Sequence, residues 1–395
     1  MTFLDLQGAD FQANPYGVLA ELREEHWQVP CAFGIAVLRY DEVRGMLALR
    51  QLRTPGADFL ALQGITEGPL ADTMRGFLLN ADGQAHHRVR RLVSKAFTVA
   101  WVEAFRPAVA RMAEELLDEL DGQDECDFVA SFAEPLALRV LCRFVGIPDD
   151  VSHEVKQWTA DIGLLFGLSV AEHRARIESA LDNLHGYIDE LLTQRRAAPR
   201  DDLLTALIAA EEDGELLTDA ELRSMVITLM SAGQGTVQHQ LSNGMAAFMA
   251  HPEQWRLLRT QPRLAVTAAE EIVRHSPSSI LGVPRIAKED LSFAGLDIPA
   301  GAAIMPITGS ANRDPRAYGD SASALDIERT GTPHLTYGGG IHYCLGAALA
   351  RVELQEAFPL LAQRWPSPQP AGPGTWLPPT EAVYGPLTLP VKRGS

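Results

Sequence analysis

Apolar residues recur along most of the chain at intervals of three and four, the spacing that places them on one face of an α-helix. The segments with this period span residues 15–27, 41–49, 85–97, 101–120, 129–145, 151–167, 171–196, 217–251, 265–275 and 347–361. Strand-like runs at residues 31–38, 293–306 and 386–391 are shorter, and we expect the last to form a hairpin. No repeat, low-complexity tract or linker interrupts the pattern. The sequence therefore predicts a single domain over residues 1–395, mainly α with a minor β component.

The longest predicted helix contains two glycines that packing alone does not explain. Thr218 and Glu221 form a capping box at its start, with the glutamate reaching back to the threonine. Gly233 and Gly235 lie near its middle, where each glycine costs about 1 kcal/mol relative to alanine. Glycine is tolerated at such positions where a ligand comes close to the backbone. The pattern indicates a ligand beside the centre of this helix, and a kinked core helix is the alternative.

Residues 336–346 combine three consecutive glycines with a cysteine just before a predicted helix. The glycines, residues 338–340, suit backbone that lies against a flat group. The exposed N–H groups and the dipole of the following helix favour the thiolate form of Cys344. Such a thiolate is a ligand for one iron ion, and a buried cysteine in a glycine-rich turn is the alternative.

The same residues resemble the haem-binding loop of the cytochrome P-450 superfamily, whose pattern is aromatic-Gly-x-Gly-x-His/Arg-x-Cys-x-Gly. The matching residues are Tyr337, Gly338, Gly340, His342, Cys344 and Gly346. The resemblance implies haem b (iron protoporphyrin IX) as the cofactor, with Cys344 as the ligand of its iron and His342 near a propionate. It also implies the cytochrome P-450 fold, with the haem between a long central distal helix and the proximal helix that follows the cysteine loop.

Two segments upstream of the loop match motifs that bind the haem in this family. His86 and Arg90, four residues apart on a predicted helix, match its His-x-x-x-Arg and are expected to hold a haem propionate. Ala232, Gly233 and Thr236 match its Ala-Gly-x-Asp/Glu-Thr. The resemblance implies that these three residues line the distal face of the haem, and that Thr236 donates a hydrogen bond beside bound O2 and assists proton delivery.

A further pair matches the motif that holds the cysteine loop in this family. Glu271 and Arg274 fit its Glu-x-x-Arg, whose third partner is usually an arginine upstream of the loop. Residues 320–325 contain no arginine, and His334 is the substitute that we expect. Arg285 lies in a segment that borders the substrate pocket in this family, and we expect it to hold the second propionate.

The resemblance also places the substrate pocket. Residues 53–79 carry scattered apolar side chains among glycines and prolines, which predicts a long loop, in this family the one over the distal face. Candidate pocket residues from this loop and from the Arg285 segment are Phe59, Leu60, Leu62, Leu70, Leu281 and Val283. A plain surface loop is the alternative for the first four.

Charge and cysteine content narrow the partners and the compartment. The formal net charge of −17 argues against nucleic acid or an anionic membrane as the main partner. Four cysteines without a CxxC pair suit a reducing cytosol. There is no signal peptide and no apolar run of about 18 residues, so we expect a cytoplasmic, bacterial-type protein, monomeric and without a membrane anchor.

The expected electron donor is a ferredoxin or flavodoxin served by an NAD(P)H reductase. An acidic donor needs a positive patch on a chain as acidic as this one. Arg88, Arg91 and Lys95 on the predicted helix at residues 85–97, with Arg351 after the cysteine, are the candidates.

Together these motifs imply a haem-thiolate monooxygenase that inserts one oxygen atom from O2 into an apolar small molecule, a secondary metabolite or a lipid-like compound. Cys344 and Thr236 are the expected catalytic residues. Gly235 stands where the family has an acid. Without that acid, protons would be relayed by water with Gln234 or by a hydroxyl of the substrate. The alternative is a different reaction class, namely oxidative coupling, rearrangement or peroxide-driven oxidation. A haem-based binder or sensor is the non-enzymatic alternative.

Overall fold

Helices account for most of the chain in the computed structural model, which describes residues 2–167, 170–212 and 214–394. In chain order the helices are α1 Ala9–Ala13, α2 Pro15–Glu25, α3 Tyr40–Ala48, α4 Asp58–Ala61, α5 Pro69–Gly76, α6 Gly83–Ala96, α7 Val99–Glu119, α8 Glu134–Val145, α9 Ser152–Gly163, α10 Arg174–Ala197, α11 Leu203–Ala209, α12 Asp219–Ala250, α13 Pro252–Thr260, α14 Ala265–His275, α15 Thr308–Ala311, α16 Pro315–Tyr318 and α17 Ala347–Arg364. The prediction of a mainly α fold with a minor β component is confirmed.

The strands are short. They are β1 Gln28–Cys31, β2 Gly34–Val37, β3 Leu52–Arg53, β4 Glu125–Asp127, β5 Glu211–Glu212, β6 Glu215–Leu216, β7 Arg285–Ala287, β8 Leu291–Phe293, β9 Leu296–Ile298, β10 Ala303–Pro306, β11 Gln369–Pro370, β12 Thr375–Trp376, β13 Pro386–Thr388 and β14 Pro390–Lys392. The predicted hairpin at residues 386–391 is wrong, because β13 pairs with β12 whereas β14 lies between β11 and β4. A single residue separates β13 from β14, which is too short for the two strands to turn back on each other.

The chain forms two compact units. The larger unit comprises Met1–Thr54, Ala113–Pro135 and Thr236–Ser395, and the smaller unit comprises Pro55–Met112 and Leu136–Gly235. Helices α7 and α12 each contribute residues to both. The prediction of one domain over residues 1–395 stays a prediction.

The main sheet of the larger unit has the strand order β1-β2-β10-β7-β3. Strands β2 and β10 are parallel and far apart in sequence, and they join the N-terminal segment to the segment before the cysteine loop. Gly34 adopts a φ of 109°, and a Cβ at this position would collide with the carbonyl of Ala303 on β10. Only glycine therefore allows this close approach of the two strands.

Helix α12 begins at the predicted capping box. The Thr218 hydroxyl accepts from the Glu221 amide at 3.2 Å, and the Glu221 carboxylate accepts from the Thr218 amide at 2.9 Å. The helix then continues without a break to Ala250. A Cβ on Gly233 would lie 3.0 Å from Cδ1 of Leu141, whereas a Cβ on Gly235 would have no neighbour within 4 Å. Packing thus explains the first glycine, and nothing in the described residues fills the space beside the second.

The predicted loop at residues 53–79 contains more structure than its sequence indicates. Helices α4 and α5 and a 3-10 turn at Leu78–Asn80 lie within or at the end of it. Pro69 is the first residue of α5, a position that requires no N–H donor. Gly76, the last residue of α5, packs against Ser224 of α12. A Cβ at position 76 would collide with the serine hydroxyl.

Candidate active site

The cysteine loop folds back on itself just before α17. The Cys344 amide donates to the Tyr337 carbonyl at 2.9 Å, and the Gly338 amide donates to the Leu335 carbonyl at 2.9 Å. Gly338 and Gly340 have φ values of 72° and 63°, in the left-handed region that favours glycine. A Cβ on Gly340 would lie 2.6 Å from the carbonyl oxygen of Leu47 on α3. The glycines therefore shape the loop and let it lie directly on α3.

Cys344 is exposed, two residues before Gly346, the N-cap of α17. The amide groups in the first turn of this 18-residue helix lack partners within the helix and favour negative charge close by. The loop thus presents a thiol at a position where the thiolate form is favoured. No disulfide joins any of the four cysteines, all of which are in the described residues.

The buried pair Glu271–Arg274 makes two parallel hydrogen bonds of 2.7 Å, and each side chain is only 2% exposed. Arg274 also donates to the carbonyls of Ala322 at 2.6 Å and Ala324 at 2.8 Å. Arg274 thus satisfies carbonyls of the irregular segment before the cysteine loop. These hydrogen bonds hold that segment against α14, although Ala324 follows Glu271 by 53 positions.

Arg329 is the third partner of this pair. Its Nε lies 3.2 Å from Oε1 of Glu271, and its Nη2 donates to the Ser321 carbonyl at 2.8 Å. The expected substitution by His334 is wrong, since His334 instead faces Glu270, with Nε2 3.5 Å from Oε2. The arginine lies four residues beyond the run at 320–325, because residues 319–329 form a series of turns rather than an extended segment.

A second polar connection fixes the start of the loop. The Asn312 side chain accepts from the Leu335 amide at 2.7 Å and donates to the Thr336 hydroxyl at 2.8 Å. That hydroxyl donates to the Val273 carbonyl on α14 at 2.9 Å. The buried amide of Asn312 thus attaches the loop to the same helix that carries Glu271.

The adjacent Glu270 holds the other end of the loop. Arg351, on the second turn of α17, donates to it at 2.6 and 3.0 Å. Burial acts to raise the pKa of Glu270, but the hydrogen bonds from His334 and Arg351 outweigh it and lower that pKa to about 2. The Arg351 guanidinium also lies over the Tyr337 ring, 4.6 Å from its centre. Two neighbouring glutamates on α14 therefore clamp the loop from both sides of Cys344.

Arg285 is a buried cation without an anionic partner among the described residues. It is 4% exposed, and Nη1 donates only to the carbonyls of Val283 at 3.0 Å and Pro284 at 3.1 Å. Burial lowers the pKa of Arg285 to about 10. A buried guanidinium in such surroundings needs an anion to offset its lost hydration.

In the smaller unit, His86 and Arg90 lie on one face of α6, as their spacing predicts. His86 is 1% exposed, and its pKa is lowered first by burial and then by the positive charges of Arg90 and His87. Arg90 is half-buried. The two side chains therefore present a positive group next to a neutral imidazole.

The remaining predicted residues of α12 differ in exposure. Ala232 is exposed although it lies near the middle of a 32-residue helix, and Thr236 is half-buried. Gln234 is 8% exposed and accepts from the Thr159 hydroxyl on α9 at 3.0 Å. Gln234 is thus anchored in the smaller unit, which limits it as a proton relay.

The candidate pocket residues fall into three groups. Leu60, Leu70 and Leu281 are buried, with Leu281 part of an apolar cluster that includes Ile280 and Met305. Phe59 is half-buried and Val283 is 38% exposed. Leu62 is 83% exposed. Their roles stay predictions.

Two of the candidate docking cations are already paired. Arg88 binds Glu221 and lies 3.8 Å from Glu215, and Arg351 binds Glu270 as described above. Carboxylates already engage both charges, and a role of Arg88 and Arg351 in docking an electron donor stays a prediction. The Lys95 ammonium donates to the carbonyl of Glu211 at 3.0 Å.

The residues of the larger unit fit a haem. An exposed thiol before a helix N-terminus suits a ligand for haem iron, and a Cβ on Gly346 would have no neighbour within 4 Å, which leaves room for a flat group. Haem carries carboxylates, and these fit a buried cation such as Arg285, whose acceptors are the carbonyls of Val283 and Pro284.

Sequence reasoning missed several residues that build this site. Arg329, Asn312, Thr336 and the Glu270–Arg351 pair carry no spacing motif of their own. The one available signal was the acid doublet at Glu270 and Glu271, with an arginine on either side of the cysteine to neutralise each.

The comparison with known proteins agrees with this geometry. The family described as Cytochrome P450 matches residues 65–261 and 263–366 of the chain. The luteothin monooxygenase of Streptomyces thioluteus is 35% identical, over 100% of this chain and 97% of that protein. The mycinamicin IV hydroxylase/epoxidase of Micromonospora griseorubida is 36% identical, over 95% of this chain and 90% of that protein. The structure of the bacillaene polyketide synthase cytochrome P450 PksS from Bacillus subtilis 168 is 32% identical, covers 99% of both chains and has a TM-score of 0.88.

No helix in the described part of the chain is long and apolar enough to cross a membrane. The family match covers more than half of the chain, and the bacterial relatives extend over almost all of it. The chain belongs to the cytochrome P450 family and is a haem b oxidoreductase of the monooxygenase class.

Proposed function

We propose that this cytochrome P450 inserts one oxygen atom from O2 into an apolar secondary metabolite, with electrons delivered from NAD(P)H by a separate ferredoxin or flavodoxin and its reductase. The observation that carries the proposal is the exposed thiol of Cys344, in a loop that is clamped by the buried Glu271–Arg274–Arg329 network before the cysteine and by the partly exposed Glu270–Arg351 pair after it.

Cys344 is the residue that would bind the haem iron. Haem, when bound, supplies the O2 activation that no side chain of the chain can perform. The dipole of α17 and the rigid loop hold the thiolate in place. Glu271, Arg274 and Arg329 keep the preceding segment from moving, because each buried charge would be left unpaired if the loop shifted.

His86, Arg90, Arg285 and His342 are proposed to receive the haem carboxylates. Arg285 is the strongest of the four, since it is buried and has only carbonyl oxygens as acceptors. Arg90 adds a second positive charge on α6. Charge-assisted hydrogen bonds from these groups would fix the orientation of the cofactor.

Thr236 is proposed to hold and pass protons at its hydroxyl. Proton transfer by a positioned group contributes about 10²- to 10⁴-fold to a rate. Ala232 and Gly233, which precede Thr236 on α12, are proposed to line the cofactor, Gly233 through its backbone because its side-chain position faces Leu141.

The names of the relatives point to a class of substrate. One relative is a polyketide synthase cytochrome P450, and the others are named for luteothin and mycinamicin IV. We propose a polyketide-type substrate, with Phe59, Leu62 and Val283 as the first side chains to test in its pocket because each is at least partly exposed.

Arg91 and Lys95 are proposed to receive the electron donor. Both are cations on α6, and Lys95 lies in its last turn. Paired Arg88 is left out of this patch.

A second reaction class has one specific observation in its favour. Gly235 carries no acid, and the space beside it is open. The alternative is therefore oxidative coupling, rearrangement or peroxide-driven oxidation on the same haem.

The first test is spectroscopic. The reduced, CO-bound protein is expected to show the strongly red-shifted absorption band of an axial thiolate, and Cys344→Ala is expected to lose it. Cys142→Ala, a change at a buried cysteine of the smaller unit, is the matched control and should keep the band. A full band in Cys344→Ala would overturn the assignment. Turnover with NADPH and surrogate ferredoxin and reductase, compared with hydrogen peroxide alone, then separates the two reaction classes.

A further inference from the structure

Helix α13 and the 3-10 turn that follows it carry three exposed arginines that none of the motifs uses. Arg256 and Arg259 lie three residues apart on α13, and Arg263 lies in the turn Pro262–Leu264. Within the described residues none of the three forms an ion pair, and the Arg263 guanidinium donates to the amide oxygen of Gln261 at 2.8 Å. These three arginines are called the basic stripe below.

The basic stripe is unusual because the chain is acidic overall, with a net charge of −17. Many arginines elsewhere on the surface are bound by carboxylates, among them Arg196, which pairs with Asp219, and Arg364, which pairs with Asp118 and Asp121. Four other exposed arginines also form no ion pair among the described residues, but they lie far apart in sequence: Arg50, Arg111, Arg143 and Arg200. Three unneutralised charges close together favour an anionic partner.

The backbone under the stripe is firmly held. Trp255 and Leu258, on the buried face of α13, are 1% and 0% exposed. The indole Nε1 of Trp255 donates to the carbonyl of Trp365 at 2.8 Å, and Trp365 is the C-cap of α17. The stripe is therefore fixed to the helix that follows the cysteine loop.

The surface continues from the stripe onto α14. The turn that contains Arg263 leads directly into this helix, whose second residue, Val266, is 57% exposed. Glu270 lies four residues beyond Val266 and hence on the same face of α14. An exposed apolar side chain therefore lies between the three arginines and the glutamate that clamps the cysteine loop.

From Glu270 a chain of direct contacts leads to the thiol. Glu270 accepts from Arg351 at 2.6 and 3.0 Å, and Arg351 donates to the Tyr343 hydroxyl at 3.2 Å. Tyr343 is 40% exposed and directly precedes Cys344 in the chain. The surface that begins at the basic stripe thus ends next to the residue that would bind the haem iron.

This surface fits a small acidic electron-transfer protein. Charged residues beside an exposed apolar one resemble the rim and centre of a protein–protein interface. The charge of −17 on the whole chain repels extended polyanions such as nucleic acid or an anionic membrane, whereas a small protein feels mainly the nearby stripe because salt screens the remainder. Electron tunnelling slows exponentially with distance, so a donor has to approach the thiol, and this surface reaches it.

We propose that a small acidic electron-transfer protein docks on the basic stripe and Val266, with Tyr343 at the edge of the contact nearest to Cys344. In each encounter the reduced donor loses one electron, which the haem iron gains. The inference rests on the proposed monooxygenase function. It assigns a docking surface to the larger unit and does not depend on the α6 cations of the smaller unit.

The first measurement follows the reduction of the holoenzyme, in the presence of CO, by a reduced plant-type [2Fe–2S] ferredoxin in a stopped-flow instrument. The triple variant Arg256→Glu/Arg259→Glu/Arg263→Glu should be reduced at least about tenfold more slowly than wild type at an ionic strength of about 0.01 M. The difference should shrink at about 1 M, because the Debye length falls from about 30 Å to about 3 Å.

The matched control is the triple variant Arg111→Glu/Arg143→Glu/Arg200→Glu. It changes the net charge by the same amount, at exposed arginines of the smaller unit that form no ion pair among the described residues. Its reduction should be slowed much less than that of the stripe variant. Equal slowing in the two triple variants, or an unchanged rate in the stripe variant, would overturn the proposal.

The second measurement needs no electron transfer. Arg259→Lys keeps the positive charge and supplies an amine that a carbodiimide couples to a carboxylate. Oxidised holoenzyme mixed with oxidised ferredoxin should give a cross-link at position 259 at low ionic strength and none at about 1 M, as identified by mass spectrometry of the peptides. Arg143→Lys is the control. No cross-link at position 259, or an equal yield at position 143, would contradict docking on the stripe.

The outcomes separate this inference from the proposed function. Reduction by dithionite and an intact CO band show that each variant holds haem. If dithionite reduces every variant but ferredoxin does not reduce even the wild type, the proposed electron supply fails, and the cross-link decides on the stripe by itself. If the stripe variant instead loses a wild-type dimer in sedimentation, or binding to phosphatidylglycerol vesicles, while its reduction is unchanged, the stripe binds a second copy of the chain or a membrane surface and the proposal is wrong.

Discussion

Replacement of Arg285 by leucine is expected to change stability in opposite directions with and without haem. The guanidinium is 4% exposed and bonds only to the carbonyls of Val283 and Pro284. Burial lowers its pKa from 12.5 to about 10, which corresponds to about 3 kcal/mol for keeping it charged in the haem-free fold. A base whose pKa is lower in the folded state binds fewer protons there than in the unfolded chain, so this cost is fully present at pH 7 and fades only as pH rises above about 10.

Arg285→Leu removes that cost but leaves two carbonyls without their donor, at about 1 kcal/mol each. The haem-free variant should therefore be more stable than haem-free wild type by on the order of 1 kcal/mol. The haem-bound variant should lose its cofactor faster, since a haem carboxylate would have lost its cationic partner. Urea unfolding followed by tryptophan fluorescence measures the first effect, and transfer of haem to an excess of apomyoglobin measures the second.

Arg274→Leu is the matched control, because Arg274 is equally buried but paired with Glu271 at 2.7 Å. Breaking a buried pair costs about 3–5 kcal/mol. Arg274→Leu would leave Glu271 with Arg329 alone and the carbonyls of Ala322 and Ala324 without this donor. If Arg285→Leu destabilised the haem-free protein as much as Arg274→Leu does, Arg285 would not be an unpaired cation and its assignment to the cofactor would fail.

Three further changes test other parts of the structure. Gly235→Ala should raise the free energy of unfolding by about 1 kcal/mol through helix propensity. Gly233→Ala should raise it less, because its Cβ would lie 3.0 Å from Leu141, and equal increases would contradict the packing at Gly233. The pKa of Glu270 is about 2, lower than in the unfolded chain, so its stabilising effect is present above about pH 4.5 and is lost as pH falls toward 2. In Glu270→Gln the free energy of unfolding should therefore depend less on pH between 4.5 and 2, and an unchanged dependence would argue against the pairs with Arg351 and His334. Arg88→Ala should lower thermal stability, because the ion pairs with Glu221 and Glu215 are lost, and should leave the rate of haem reduction by ferredoxin unchanged. Arg91→Ala should slow that reduction and leave thermal stability unchanged. A slower reduction in Arg88→Ala would return Arg88 to the docking patch.

The sequence by itself predicted the long helices, because local rules act over a few residues, whereas it missed the shorter helices α4, α5, α11 and α13. The predicted helix at residues 265–275 matches α14 residue for residue, and the capping box at Thr218 marks the start of α12. Short strands were less predictable. The pairing of residues 386–391 depends on strands that are distant in sequence: β13 pairs with β12, whereas β14 pairs with β11 and β4.

The tertiary structure decided which charged groups meet. The spacing of Glu271 and Arg274 predicts that they pair, because both lie on one helix. Arg329 contacts Glu271 from 58 positions away, and no local pattern specifies that contact. The same holds for His334, which faces Glu270, and for Arg88, which two glutamates neutralise. Sequence motifs locate residues that act through a fixed spacing on one element, such as those around Cys344. Partners of a long, flexible cation are set by the fold, because its side chain can reach whichever carboxylate the packing brings near.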